Sequence, residues 1–135
     1  MAAPKIPDDI RTYMVGTLGL TDVTVYGLSP TPINQYSIAE YPGPMNTHVH
    51  GGLVTGNDIA FDEAMIQIAS RHRTLQTARD NLKTVVDALD GLMDTTINSV
   101  VYTYITRTSP IRLFERQEDG SAIFITEFRV QARRG

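Results

Sequence analysis

The stretch TLQTARDNLKTVVDALDGLM, residues 74–93, has the strongest periodicity in the chain and decides the fold class. Its apolar residues recur three or four positions apart, as on one face of an α-helix: Leu75, Ala78, Leu82, Val85, Leu89 and Leu92. Thr74 is a suitable N-cap residue, and Gly91 marks the predicted end of the helix. The sequence therefore predicts a long amphipathic helix, whose apolar side needs a second layer to cover it.

Strand patterns lie on both sides of this helix. EAMIQIAS (residues 63–70) precedes it, and INSVVYTYITR (residues 97–107) follows with β-branched and aromatic residues. IRLFERQ (residues 111–117) and SAIFITEFRVQAR (residues 121–133) flank the turn sequence EDG, a combination that predicts a β-hairpin. In the last strand one face is apolar, whereas the other is polar and carries Glu127, Arg129, Gln131 and Arg133.

The first half of the chain is less regular. DDIRTYMVGTLGL (residues 8–20) follows Pro7 and predicts a short helix with Asp8 or Asp9 as its N-cap. TDVTVYG (residues 21–27) and NQYSIAEY (residues 34–41) read as strands. The segment from Pro42 to Asp58 is rich in proline and glycine and is interpreted as a long irregular loop, a kind of segment that is usually either functional or disordered.

These elements together predict an α+β fold. It consists of a mainly antiparallel sheet with two helices packed on one face and a long loop between strands 2 and 3. The 135 residues are expected to form a single domain.

Composition restricts the classes of function. The chain has no cysteine, so disulfides, thiol nucleophiles and cysteine-ligated zinc are excluded. Its formal net charge of -3 argues against a nucleic-acid-binding protein, which needs concentrated lysine and arginine. Neither a secretory signal nor a membrane-spanning segment is expected, because the chain has no long apolar run.

His48 and His50 form a His-x-His pair inside the predicted loop. Two histidines at this spacing on a strand are typical of cupin-like metal sites, which add a nearby carboxylate and a third histidine. Here the next carboxylate is Asp58, and His72 stands between two arginines that would repel a cation. The surrounding glycine and proline also argue against a rigid strand beneath the pair. We therefore expect no metal and no cofactor, and interpret the histidines as surface groups.

Other chemical signals are weaker. The sequence contains no G-x-S-x-G, Walker A or G-x-G-x-x-G motif, so no catalytic constellation is predicted and the protein is not expected to be an enzyme. Tyr102 and Tyr104 are predicted on one side of a strand, in a core or an interface. The RHR sequence at 71–73 contains the densest positive charge, with Arg71 and Arg73 at a strand-to-helix junction.

Several of these stretches together resemble the small neck proteins of tailed bacteriophages, known as minor capsid or tail terminator proteins. In that family a strand ends in an arginine, here Arg71, and a helix with a conspicuous alanine follows, here Ala78. The helix closes in Ala-Leu-x-Gly, and a hairpin turning at Asp-Gly leads to a last strand that ends in Arg-x-x-x-Arg. The matching residues are Ala88, Leu89 and Gly91, then Asp119 and Gly120, then Arg129 and Arg133. The resemblance covers roughly residues 8–133, and the histidine-containing loop departs from it.

The resemblance implies a virion protein of the tail or neck, made in the host cytoplasm. Such a protein forms a ring, commonly of six copies, that caps the tail tube and joins it to the head-tail connector or a head-closure protein. Genome DNA passes through the lumen without specific binding, and no membrane is involved. The loop and the charged face of the last strand become expected subunit or ring contacts, with these residues: His48, His50, Arg71, Arg73, Glu127, Arg129 and Arg133.

Three alternatives remain open at this point. In the first alternative, the protein is a head-closure or tail-completion neck protein, which lies one ring further along the particle. A second alternative is a small cupin-like metal-dependent enzyme that uses His48 and His50. The third is a nucleic-acid-binding accessory protein that uses four arginines from the second half of the chain: Arg71, Arg73, Arg133 and Arg134.

Overall fold

The computed structural model describes residues 5–40, 47–50 and 60–134. The helices are α1 (Ile6–Gly16) and α2 (Leu75–Leu89). The strands, in chain order, are β1 (Val23–Val25), β2 (Gln35–Glu40), β3 (Thr47–His50), β4 (Ala60–His72), β5 (Leu92–Ile97), β6 (Val100–Arg107), β7 (Arg112–Arg116) and β8 (Ala122–Arg134).

Two long strands form the centre of the sheet. β4 and β8 are 13 residues each and pair antiparallel over their whole length, from Ala60 opposite Arg134 to His72 opposite Ala122. β2 and β3 share the outer edge of β4, while β6 and β7 share the outer edge of β8. β1 pairs in parallel with β2, and β5 pairs antiparallel with β6. A mostly antiparallel sheet with two helices confirms the predicted α+β class.

The sheet has two ends with different strands. At the first end, the order across the sheet is β1-β2-β4-β8-β7, and at the second end it is β3-β4-β8-β6-β5. β4 runs from the second end to the first, a distance of about 40 Å at about 3.3 Å per residue.

One face of the sheet, here called the inner face, shares a hydrophobic core with both helices. Ile10 and Met14 of α1 and Leu82 and Val85 of α2 are fully buried in it. The sheet contributes residues at alternate positions: Ala64, Ile66 and Ile68 of β4, and Phe124, Phe128, Val130 and Ala132 of β8. The alternation predicted for both strands is thus confirmed, and the opposite face of the sheet is called the open face below.

The predicted long loop contains a strand. β3 pairs with the first part of β4, with His48 opposite Asp62 and His50 opposite Ala60, so the expectation that glycine and proline keep the His-x-His pair off a strand is wrong. The physical reason is that the first part of β4 extends beyond β2, and its exposed edge needs a hydrogen-bonding partner. The remainder of the loop, residues 41–46 and 51–59, lies outside the described residues, as do the side chains of β3.

The region after α2 contains a hairpin that sequence periodicity missed. The helix ends at Leu89, so Leu92 belongs to β5 and not to the helix, and the predicted strand over residues 97–107 is two strands. Asn98 and Ser99 separate them, with φ of 51° and 65°. Two successive positive φ values are those of a type I′ turn, for which asparagine is suited but serine is an unusual second residue.

A bulge separates the two tyrosines of β6. The register with β8 shifts between Tyr102 and Tyr104, so that Tyr102 lies opposite Ala132 and Tyr104 opposite Gln131. Tyr102 is fully buried in the core, whereas Tyr104 is partly exposed and shares the open face with Glu63. The prediction that both point to one side is therefore wrong, because an extra residue in one strand reverses the alternation.

Asp9 joins α1 to the β5–β6 hairpin. The helix begins at Ile6 with Lys5 at the N-cap position, so neither Asp8 nor Asp9 caps it as predicted. The carboxylate of Asp9 is buried and accepts hydrogen bonds from the Tyr102 hydroxyl and from Nδ2 of Asn98, the latter at 2.8 Å. Burial, and then the bond to Asp9, raise the pKa of Tyr102, which keeps its hydroxyl a donor.

Replacing Tyr102 by phenylalanine tests this contact. The Tyr102→Phe variant leaves a buried carboxylate short of one donor, and we expect it to lower the free energy of unfolding by about 1–3 kcal/mol. Tyr104→Phe removes the same atom from a partly exposed residue, and we expect a loss of about 1 kcal/mol or less. Urea unfolding of the two variants makes the comparison, and equal losses would contradict the role given to Asp9.

Candidate interaction surface

The open face of the sheet is divided into an apolar part and a polar part. At the first end, Ala69, Ile123 and Ile125 form a small hydrophobic cluster with Leu28. At the second end, Glu63, Arg129 and Gln131 carry the polar groups. These two parts are called the apolar groove and the polar patch below.

The apolar groove is a hollow of about 210 Å³. Its floor is formed by Ala69, Ile123 and Ile125, which are 9% exposed or less. Its walls are aromatic: Tyr26 is 67% exposed and Phe114 is 62% exposed. The remaining lining residues are small or uncharged: Gly27, Leu28, Ser37, Ala39 and Gln67. An exposed aromatic pair above a buried aliphatic floor is typical of a contact surface.

The turn after β1 holds one wall of the groove in place. The amide of Tyr26 donates to the carbonyl of Ile38 at 2.7 Å, and the amide of Gly27 donates to Oγ of Ser37 at 2.9 Å. Tyr26 has a φ of 69°, which is costly for a residue with a side chain, and Gly27 has a φ of 131°. This backbone directs the Tyr26 ring into solvent beside the sheet.

Arg71 supports the next part of the same segment. It is 7% exposed, and its guanidinium donates to carbonyls of one loop, at 2.8 Å to Ile33 and 3.0 Å to Pro32, with a further bond to Ser29. Gln35 adds bonds to the backbone of Ser29, at 2.8 Å and 3.0 Å. Arg71, predicted at a subunit contact, thus binds its own chain, and we leave it out of the interface proposed below.

An ion pair between a buried carboxylate and an exposed arginine borders the groove. Glu127 is 7% exposed, and its carboxylate receives two bonds from Arg112, at 2.9 Å and 3.2 Å. Burial raises the pKa of Glu127, and Arg112 is the cation that faces it. Glu127, which the sequence placed on a charged outer face, is thus occupied within its own chain.

The polar patch is held more loosely. Nε of Arg129 lies 3.7 Å from Oε1 of Glu63, and Nε2 of Gln131 donates to Glu63 at 3.3 Å. The side chain of Arg129 is 44% exposed, and Arg133 is exposed four residues further along β8. Burial, followed by its hydrogen bond to Glu63, raises the pKa of Tyr104. These groups remain accessible to a second molecule.

The other predicted site residues are not brought together. Arg73 is exposed just before α2, where its amide donates to Asn34 at 3.2 Å. His48 and His50 belong to β3 at the second end of the sheet, and their side chains lie outside the described residues. Within the part of the chain that the structure describes, no three His, Asp or Glu residues are grouped to hold a metal ion. Neither of the described helices is long and apolar enough to cross a membrane.

One feature of the sequence indicates the groove, although the alternating pattern used to predict the strand does not reveal it. Ala122 to Thr126 is an unbroken run of buried residues, and an apolar run without alternation indicates a strand covered on both faces. No comparable local signal identifies Tyr26 and Phe114, because only the fold places them on opposite sides of this strand.

Comparisons with known proteins bear on the fold. No family model matches the chain, and no curated protein matches it. Among solved structures, the chain is similar to one from the virion of a native gene transfer agent (GTA) particle. The two are 15% identical with a TM-score of 0.53, and the match covers 94% of this chain and 90% of the other. The likeness shows a shared fold over nearly the whole of both chains.

The Arg112–Glu127 pair provides a test of the groove border. In the Arg112→Met variant a buried carboxylate loses its cation, so we expect the free energy of unfolding at neutral pH to fall by about 1–3 kcal/mol. Burial raises the pKa of Glu127 in the folded protein, so the full loss of unfolding free energy is expected at pH values above that pKa. The loss becomes smaller as the pH falls through the pKa of Glu127, since a protonated carboxyl needs no cation. Urea unfolding at several pH values measures the change.

Two further variants serve as controls for this test. Adding Glu127→Gln to Arg112→Met removes the unpaired charge and should restore most of the lost stability. Lys83→Met breaks the exposed Lys83–Asp87 pair, whose atoms are 2.9 Å apart, and should cost less than about 0.5 kcal/mol. An Arg112→Met loss as small as that of Lys83→Met would contradict a structural role for the pair.

Proposed function

We propose that the protein is a structural component of a phage-like particle, and specifically a tail terminator. In this role copies of the chain form a ring, commonly of six, which caps the tail tube and joins it to the head-tail connector or head-closure protein. Genome DNA passes through the lumen without specific binding. The observation that carries the proposal is the match to a chain of a gene transfer agent virion over 94% of this chain.

The sequence and the surface support the same function. The motifs that resemble phage neck proteins fall at the ends of regular elements, as that resemblance implies: Arg71 lies near the end of β4, Gly91 follows α2, and Asp119–Gly120 lies in the β7–β8 turn. The described residues offer an exposed apolar groove and an accessible polar patch, and no grouped metal ligands. Such surfaces are suited to binding proteins, so assembly is the function they favour.

The polar patch is the proposed site of charged contacts between subunits or rings. Arg129 in the patch and Arg133 next to it on β8 are exposed cations, and His48 and His50 belong to a strand at the same end of the sheet. Arg73 is exposed at the first end, where it lies near enough to Asp119 to contribute to the lowered pKa of that carboxyl, after the hydrogen bonds from Ser121. Charged rims of this kind set partner choice and register more than affinity.

A ring predicts a defined oligomer. We expect sedimentation of the purified protein to show a closed oligomer at high concentration, and negative-stain micrographs to show rings that attach to tail tubes or connectors. Arg129→Glu reverses a charge in the polar patch and should weaken assembly by about tenfold or more, with a strong dependence on salt.

Arg79→Glu provides the matched control, because Arg79 is an exposed arginine on α2, away from the open face. It should leave assembly unchanged. A chain that stayed monomeric at high concentration and also failed to bind tail tubes or connectors would rule out the proposed function.

A further inference from the structure

The apolar groove has no cover from its own chain among the described residues. Tyr26 and Phe114 are exposed on its two sides, and none of the ten residues that line it carries a charge. A charged partner such as nucleic acid finds no cation in this lining, whereas a neutral apolar segment buries no charge by entering it. The chemistry of the groove therefore calls for an uncharged occupant with one or two aliphatic side chains.

The chain itself contains such a segment. Residues 51–59 join β3 to β4 and read GGLVTGNDI, with Leu53 and Val54 next to each other and glycine on both sides. The first charge in this segment is Asp58. The segment is thus neutral around its apolar pair, as the groove is.

Chain length decides which copy can supply the segment. Leu53 is three residues after His50, so its Cα lies at most about 11 Å from that of His50, which is paired with Ala60. Ala69 on the groove floor is nine residues along β4 from Ala60, which is about 30 Å away in a strand. Gln67, the lining residue nearest to Ala60 along β4, is seven residues or about 23 Å away, so Leu53 falls roughly 12 Å short even of the near end of the groove in its own chain. Only a second copy can place it there.

We propose that the apolar groove of one copy binds the Leu53–Val54 pair of a second copy. This inference rests on the proposed ring and specifies how its neighbouring subunits are joined. The loop leaves the second end of the sheet and the groove lies at the first end, so each copy offers a different surface to each neighbour. A contact of this kind is heterologous, and heterologous contacts build rings when the rotation closes.

Cross-linking tests the contact directly, and the absence of cysteine from the chain makes introduced thiols unique. Proteins carrying Leu53→Cys and Phe114→Cys are mixed in equal amounts and oxidised with diamide. We expect a covalent dimer on a non-reducing gel, because a disulfide requires Cβ atoms about 4 Å apart. Ala39→Cys, at another position in the groove lining, replaces Phe114→Cys in a second mixture and should also cross-link. Lys83→Cys, exposed on α2, provides the background rate.

The outcomes separate this inference from the proposed function. If sedimentation shows an oligomer but neither groove variant cross-links faster than Lys83→Cys, the groove contact is wrong and the ring still stands. If the protein is monomeric, does not cross-link and also fails to bind tail tubes or connectors, both are wrong. A protein carrying Leu53→Cys and Phe114→Cys together should form a ladder of covalent oligomers, and a disulfide within one copy would overturn the reach argument.

Substitutions give an independent measurement. Leu53→Ser and Phe114→Ala should each weaken self-association by about tenfold, as expected for the loss of an apolar contact at an interface. If the two side chains meet, the double variant is no weaker than the more affected single variant. Leu113→Ala provides the control, because Leu113 is also exposed, at 46%, but is paired with Phe124 of the inner face. A purely additive double variant, or an equal effect of Leu113→Ala, would overturn the contact.

Discussion

The full-length pairing of β4 with β8 is the constraint on which the rest of the structure depends. Each strand has 13 residues, and no shorter strand is long enough to cover the outer edge of either one. Two strands therefore share each edge, β2 and β3 along β4 and β6 and β7 along β8. Because the shared edges are completed by different strands at each end, one continuous ladder produces two ends with separate surfaces.

The two ends differ chemically because β8 changes its pattern along its length. From Ala122 to Phe128 every residue is buried, whereas from Arg129 to Arg133 exposed or half-buried residues alternate with buried ones. The first part is covered on one face by the helical layer and bordered on the other by the walls of the groove. The second part leaves arginine and glutamine facing outward. A single change of pattern thus separates the apolar groove from the polar patch.

Regular elements were predictable from the sequence, whereas the positions of particular side chains were not. The helix over Leu75–Leu89, the alternation of β4 and the β7–β8 hairpin follow from periodicity and from the turn at Asp119–Gly120. β3, the turn at Asn98–Ser99 and the bulge before Tyr104 depend on which strand edge needs a partner, and that is a property of the assembled sheet. Asp9 looked like a helix cap because its partner Tyr102 is distant in sequence. The groove residues were missed for the same reason, since Tyr26 and Phe114 line one groove only because the fold places them on either side of three intervening strands.

The division of the open face also bears on how copies of the chain associate. A twofold dimer with open faces together and strands antiparallel would place the polar patch of one copy on the apolar groove of the other. Glu63 and Arg129 would then lose water against Ile123 and Ile125, and charged groups buried without new partners are costly. A head-to-tail arrangement that inserts only a neutral loop into the groove leaves the polar patch hydrated. The separation of charge from apolar surface along β8 therefore argues against this twofold dimer, and the head-to-tail contact of the proposed ring avoids that cost.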